Sequence, residues 1–507
     1  MLFNSFTFLF LFLPGTLAAF YLARSRSGPR AALFVLVAAS VAFYGWWSPP
    51  HVFLLAGSAF ANYAVGRWLM AMSVQRHRWW LTAAAIAANL ALIGWFKYSG
   101  FFGELSRSMF GLDLHLAPLI LPLAISFFTF EQIAFLVEVY KRNVQSVKFG
   151  QYLLFVSFFP HLIAGPIIQF RDFVAQLEPA ARLRANREQA VLGTVLIVIG
   201  LVKKVVIADS VGVYAEPLFA ADYPVSLIEA WGGALAFTFQ IYFDFSAYSD
   251  IAIGLAAWFG IVLPTNFDSP YKARSLVEFW RRWHITLTWF LRTYLYIPLG
   301  GNRAGEVRRY MNVIVVMLLG GLWHGASVTM LFWGGLHGVG IVVVRLWQRG
   351  FAGRYTAPGW LLTSHVLTFV FVVVAWVPFR ATSVAQALDL WGAMFDPTRI
   401  ALPSAYLDAL GDLGSSLAGL GVETLDRAFL FAGPEQAVVL AVLLVVVLAA
   451  PNSQQIAQRV TNVVVGAVGA IDLTPLRAAA AIVTGVLLAI AAAGMLGGSA
   501  DFVYFQF

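Results

Sequence analysis

Apolar runs close to membrane-spanning length follow one another along nearly the whole chain. They stand at about 3 to 22, 31 to 47, 51 to 72, 79 to 98, 118 to 139, 150 to 170, 190 to 215, 230 to 262, 283 to 299, 311 to 346, 361 to 379, 437 to 450 and 478 to 498. A spanning helix needs about 20 apolar residues, and within hydrocarbon only helices and closed barrels satisfy their own backbone. The runs therefore read as helices. Only 11% of the 507 residues are charged and 60% are hydrophobic, whereas a soluble domain carries about 25% charged residues. Nothing is left to build a water-facing surface. The chain reads as an all-α polytopic membrane protein, one integral membrane domain over residues 1–507, with room for roughly ten to twelve hydrophobic segments.

The charge balance, 33 Lys and Arg against 25 Asp and Glu, would in a soluble protein point to nucleic acid. Here the basic residues gather in short loops: Arg24/Arg26/Arg30, Arg76/Arg78, Lys141/Arg142/Lys148, Arg182/Arg184/Arg187, Lys272/Arg274/Arg281/Arg282, Arg303/Arg308/Arg309 and Arg345/Arg349/Arg354. The positive-inside rule places these loops in the cytoplasm, beside lipid headgroups and away from any nucleic-acid role. The first run, 2 to 22, reads as a retained helix with the N-terminus outside. Residues 380–435 carry Arg380, Arg399 and Arg427 against seven acidic residues. That stretch is expected on the outer side as a flexible loop with short helical pieces.

Absences narrow the chemistry. There is no cysteine, hence no disulfide, thiolate metal site or cysteine-bound acyl intermediate. No Walker loop, Gly-x-Gly-x-x-Gly fingerprint or Gly-x-Ser-x-Gly elbow occurs, no histidine spacing suits a metal, and no internal repeat marks a transporter.

Two stretches break the simple pattern. Residues 311 to 345 lie between basic loops and, at about 35 residues, are short for two full spans, so they read as a re-entrant or shallow helical pair. Their middle is Gly320-Gly321-Leu322-Trp323-His324-Gly325-Ala326-Ser327, where glycine permits close backbone approach. His324 is thereby expected at membrane depth, where ionisable groups face polar cavities. It is either a neutral histidine bonded to a helix carbonyl or a general base that takes a proton from a hydroxyl. Residues 283 to 299 likewise enter partway or lie at the interface. Just before them, Glu278-Phe279-Trp280-Arg281-Arg282-Trp283-His284 pairs anchoring rings with two arginines suited to an anion, either a phosphate-bearing donor or lipid headgroups. Asp244 and Asp250 lie within an apolar run, where each could orient a histidine, line a cavity or pair with a cation. Glu131 and Glu138 raise the same question.

Many segments, in order, resemble the membrane-bound O-acyltransferase (MBOAT) superfamily and, within it, the bacterial alginate O-acetylation branch. They include Phe96-Lys97-Tyr98, Leu121 to Phe130, Phe159-Pro160-His161-Leu162-Ile163-Ala164-Gly165-Pro166, Tyr242-Phe243-Asp244-Phe245-Ser246, Asn266-Phe267, Phe279 to Leu287, Tyr296 to Arg303, Trp323-His324-Gly325-Ala326-Ser327 and the ending Phe502 to Phe507. The resemblance implies a multi-helix bundle with re-entrant or short helices around a central funnel. It implies that His324 is catalytic with His284 assisting. Read from the residues, Arg281 and Arg282 are expected to attract the phosphates of CoA, and Trp323, Asn266, Asp244 and Asp250 complete the expected donor- or substrate-binding set. The resemblance further implies no bound cofactor, acetyl-CoA as cytoplasmic donor, an inner-membrane location, and periplasmic acetyl-transfer proteins and a polysaccharide acceptor as partners. Ala124 and Ala247 stand where the family has glycine, read as mild packing changes, and Thr293 where it has an acid.

The expected function is transfer of acetyl across the inner membrane for O-acetylation of an exopolysaccharide such as alginate. Other readings are cellulose or peptidoglycan O-acetylation, D-alanyl transfer to teichoic acid, and a non-enzymatic transporter or scaffold.

Overall fold

The computed structural model describes residues 1–112, 119–178, 183–303, 305–350, 358–420, 422–424, 435–466, 474–496 and 502–503. His115, Arg182, Arg354, Arg427 and the last four residues lie outside the described residues. The rest is helical apart from turns and one two-residue parallel strand pair, Ala401–Leu402 with Glu423–Thr424. The chain is an all-α polytopic membrane protein. It packs as two units, one within Met1–Val202, Ala247–Thr265 and Ser453–Asp501, the other within Lys203–Ser246, Asn266–Asn452 and the segment from Phe502.

Six described helices are long and apolar enough to cross a membrane: Thr7–Ser27, Pro29–Trp47, Gln75–Phe110, Arg187–Ala220, Val328–Gly350 and Gly359–Arg380. A seventh is added if Glu435–Ala449 and Ser453–Val465 are one broken span. The other apolar runs take two different forms. Some runs break: 150 to 170 becomes Phe149–Ser157 and Phe159–Leu162 ahead of a Gly165-Pro166 turn, and 283 to 299 becomes Ile285–Leu291 with a widened turn at Arg292–Tyr296. Others are long but polar. Leu227–Trp258 runs 32 residues and carries Glu229, Gln240, Asp244 and Asp250.

In the first unit, polar groups lock helices together within an apolar medium. Asn62 and Asn89 exchange amide bonds at 3.1 and 2.7 Å, and Asn62 also donates to Gln132 at 2.8 Å. Three helices meet there. Arg78, expected in a solvated basic loop, instead lies in the helix Gln75–Ile93 with 1% of its surface exposed. Its guanidinium donates to Leu69 and Met72 at the end of Pro49–Ala71, and to Val139 at 2.8 Å and Tyr140 at 3.0 Å at the end of Ile125–Tyr140. One cation thus satisfies terminal carbonyls of two helices. Arg76 and His77 beside it remain exposed.

Ala124, which precedes the helix Ile125–Tyr140, has φ of +61°. Where the resemblance leads one to expect glycine, alanine thus bears on the backbone as well as on packing, because a Cβ is crowded in the left-handed region.

The second unit contains a close hairpin of Glu306–His324 and Val328–Gly350, 19 and 23 residues long. It is longer than the 35-residue reading because the helices extend into the basic flanks on both sides. A methyl group at Gly321 would collide with the Met330 carbonyl, one at Gly334 with the Met317 carbonyl, and one at Gly338 would sit 3.0 Å from Ile314 Cα. Backbone therefore packs on backbone, the close approach expected of the glycines before His324, with Gly334 and Gly338 of the second helix completing it.

Replacing Arg78 with alanine strands several buried carbonyls, so Arg78→Ala is expected to destabilise the detergent-solubilised protein by about 2–4 kcal/mol. Arg76→Ala, at an exposed neighbour, should stay within about 0.5 kcal/mol of the parent. Equal thermal unfolding midpoints for the two variants would refute the capping role.

Candidate active site

Asn266 organises the segment that carries His284. Its carbonyl accepts from the Ile285 N–H at 3.0 Å. Its side-chain oxygen accepts from the Thr286 N–H at 3.3 Å and from the Thr286 hydroxyl at 2.9 Å, and it lies 3.1 Å from His284 Nδ1. Asn266 and His284 are both fully buried. A backbone N–H can only donate, which identifies the facing amide atom as oxygen. His284 Nδ1 therefore carries the proton, and Nε2 is the lone-pair side of the ring. The backbone at His284 is left-handed, with φ +43° and ψ 54°, a conformation that a non-glycine residue holds only when its surroundings impose it. Here the Asn266 bonds impose it. His284 lies outside the spanning helices, and burial pushes its imidazole from the ordinary 6.5 down to about 3. It is neutral at physiological pH.

His324 ends the helix Glu306–His324, after which Gly325 turns extended and Ser327 opens the next helix by accepting from the Met330 N–H at 3.2 Å. The glycine-faced hairpin fixes this turn. The His324 ring is boxed by Trp323 at 4.9 Å, Trp333 at 5.2 Å and Phe379 at 5.3 Å, centroid to centroid, with the His284 ring at 6.4 Å. Phe245 meets His284 edge-on at 4.8 Å, and Trp323 lies 5.8 Å from it. Two imidazoles thus face each other's neighbourhood within a water-poor aromatic wall. Such a place suits proton transfer by neutral histidine.

The other expected site residues divide. Asn266 and Trp323 join the two histidines. Arg281 and Arg282 end the helix Leu276–Arg282, just ahead of His284. Arg281 is exposed, while Arg282 is held by Glu278 at 2.9 Å and by the Asp268 carbonyl at 3.0 Å. Asp244 forms an ion pair with buried Lys204 at 2.9 Å, and Lys204 also binds Asp209 at 2.7 Å. Asp250 belongs to the other unit and accepts from Gln454 at 3.1 Å. Glu131, also in the first unit, pairs with His161 at 3.1 Å. Sequence reasoning missed Trp333 and Phe379. The signal available was the four-residue spacing of Trp333 and His337, which puts both on one helix face.

The sequence profile of the MBOAT, membrane-bound O-acyltransferase family, matches residues 109–385. The chain is 41% identical to the peptidoglycan O-acetyltransferase of Helicobacter pylori, an alignment covering 78% of this chain and 80% of that protein. It is 39% identical to the probable alginate O-acetylase of Pseudomonas aeruginosa, over 85% of this chain and 80% of that protein. To the protein of that name in Pseudomonas putida it is 40% identical, over 85% and 86%. The site's principal residues, Asn266, Arg281, Arg282, His284, Trp323 and His324, all fall within the matched region. With the helical fold and the paired histidines, these matches make the chain an O-acyltransferase of the membrane-bound O-acyltransferase family.

Proposed function

We propose that this enzyme takes an acetyl group from cytoplasmic acetyl-CoA, carries it across the inner membrane and delivers it, through periplasmic acetyl-transfer proteins, for O-acetylation of an exported polysaccharide such as alginate. The observation that carries the reading is the pairing of the His324 and His284 rings at 6.4 Å inside an aromatic box. His324 takes the proton of the acceptor hydroxyl as its oxygen attacks the thioester carbonyl. The tetrahedral intermediate collapses with breakage of the carbon–sulfur bond, and the imidazolium returns the proton to the departing thiolate. No enzyme nucleophile is needed, in keeping with a chain that has no cysteine.

His284, neutral with its lone pair on Nε2, accepts a hydrogen bond more readily than it gives one. Its role is therefore to hold a hydroxyl or amide N–H of a substrate in register, not to polarise the thioester carbonyl as a protonated ring would. Arg281, the exposed arginine of the pair, is the better candidate for the phosphates of CoA. Arg282 secures the helix that presents it. Asp244 serves through its ion pair with Lys204, which anchors the helix bearing Phe245.

Peptidoglycan is the second acceptor to weigh, because the Helicobacter relative is 41% identical. Membranes holding the enzyme and its partner proteins, given labelled acetyl-CoA, separate the two by which polymer acquires label.

In that assay His324→Ala is expected to lower transfer by about 100-fold or more, the usual weight of a general base, at unchanged membrane insertion. Undiminished transfer would leave a transporter or scaffold in its place. Asn266→Ala releases His284 without touching the ring, and a misplacement of this kind costs about 10- to 100-fold. A rate equal to the parent's would remove Asn266 from the site.

A further inference from the structure

We infer that a third histidine, His337, is a positioning residue of the acyl-transfer site, acting through two tryptophans that it holds in place. The inference rests on the proposed acyl-transfer role of His324. His337 lies on Val328–Gly350, fully buried, and its Nδ1 is 3.3 Å from Trp280 Nε1. An indole N–H only donates, so Nδ1 is the acceptor and the proton of neutral His337 sits on Nε2. The tautomer is set by the tryptophan.

Each partner leads to a different part of the site. Trp280 immediately precedes Arg281 on the helix Leu276–Arg282, and its ring lies 5.3 Å from His337 and 5.8 Å from Trp333. Trp333, one turn before His337, stands between the two imidazoles, 4.9 Å from His337 and 5.2 Å edge-on from His324. Trp333 is 1% exposed and is backed by Trp376 in a stacked contact at 5.9 Å, so it cannot move alone. A shift of the His337 ring is passed to the wall of His324 on one side and to the helix of the arginines on the other. Packed interiors transmit such displacements because they hold no slack.

A histidine kept only to fill the core would be better replaced by an apolar side chain, since a buried imidazole nitrogen is costly. A histidine kept for its Nδ1 acceptor makes the opposite demand. Asparagine puts an oxygen close to the Nδ1 position, and glutamine puts its polar end closer to Nε2.

The test measures acetyl transfer from labelled acetyl-CoA in membranes containing the full chain, resolved into kcat and KM. His337→Asn is expected to retain most of the activity. His337→Gln, His337→Leu and Trp280→Phe are each expected to lose about 10- to 100-fold in kcat and to raise the KM for acetyl-CoA, because Trp280 also positions the helix that ends in Arg281 and Arg282. Because they break one bond from its two ends, the His337→Gln and Trp280→Phe losses should not multiply in the double variant. If His337→Gln fails to insert, Trp280→Phe, of nearly equal bulk, carries the same comparison. Equal activity of the asparagine and glutamine variants, full activity of His337→Leu, or multiplying losses would each overturn the inference. His324→Ala run alongside separates the two levels. If it is inactive while His337→Gln transfers at the parental rate, the positioning role alone fails. If it is itself fully active, the catalytic reading fails and the inference falls with it.

Discussion

The side-chain oxygen of Asn266 faces three donors from the segment His284–Thr286, and the geometry of the site follows from that convergence. It holds His284 in a left-handed backbone, fixes which ring nitrogen bears the proton and turns the chain into the helix Ile285–Leu291. An acceptor serving several donors in a dry interior is worth more than the same bonds in water, and its loss strands all of them together. The second imidazole arrives by another route. The seam of Gly321, Gly334 and Gly338 lets two helices touch at their backbones, and His324 sits where that hairpin turns.

The same economy governs the scaffold. In a medium without water, each buried polar group needs a partner inside the protein. The Asn62–Asn89–Gln132 amides, the Lys204 ion pairs and the guanidinium of Arg78 supply them. These groups stabilise particular helix registers where apolar packing against lipid would leave several alternatives of similar energy.

Much of this was legible in the sequence, and the parts that were not have physical reasons. Long apolar runs identified a helical membrane protein, and glycines flanking His324 marked the turn that carries it. Polar interruption and proline breaks divide or bend several of the apolar runs, because periodicity within one run does not reveal whether the run crosses or stops. Arg78 read as a loop cation because Arg76 and His77 flank it; that it reaches the ends of two distant helices is tertiary information. Asn266 stood in the sequence only as part of a short motif, and nothing local shows that its side chain meets residues about twenty positions later. His337, thirteen residues from His324, joined the cluster only once the hairpin placed Trp333 between them. Asp244 and Asp250 are six residues apart on one helix, yet they fall in different packing units and bind different partners.

In the proposed reaction His284 and His324 act as one unit on the thioester. Single-turnover acetyl transfer in the His284→Ala, His324→Ala and double variants tests it most directly. Groups acting together are non-additive, so the double variant should be no slower than the slower single variant. Losses that multiply in the double variant would mean that the two histidines serve independent tasks, and the shared site described above would be contradicted.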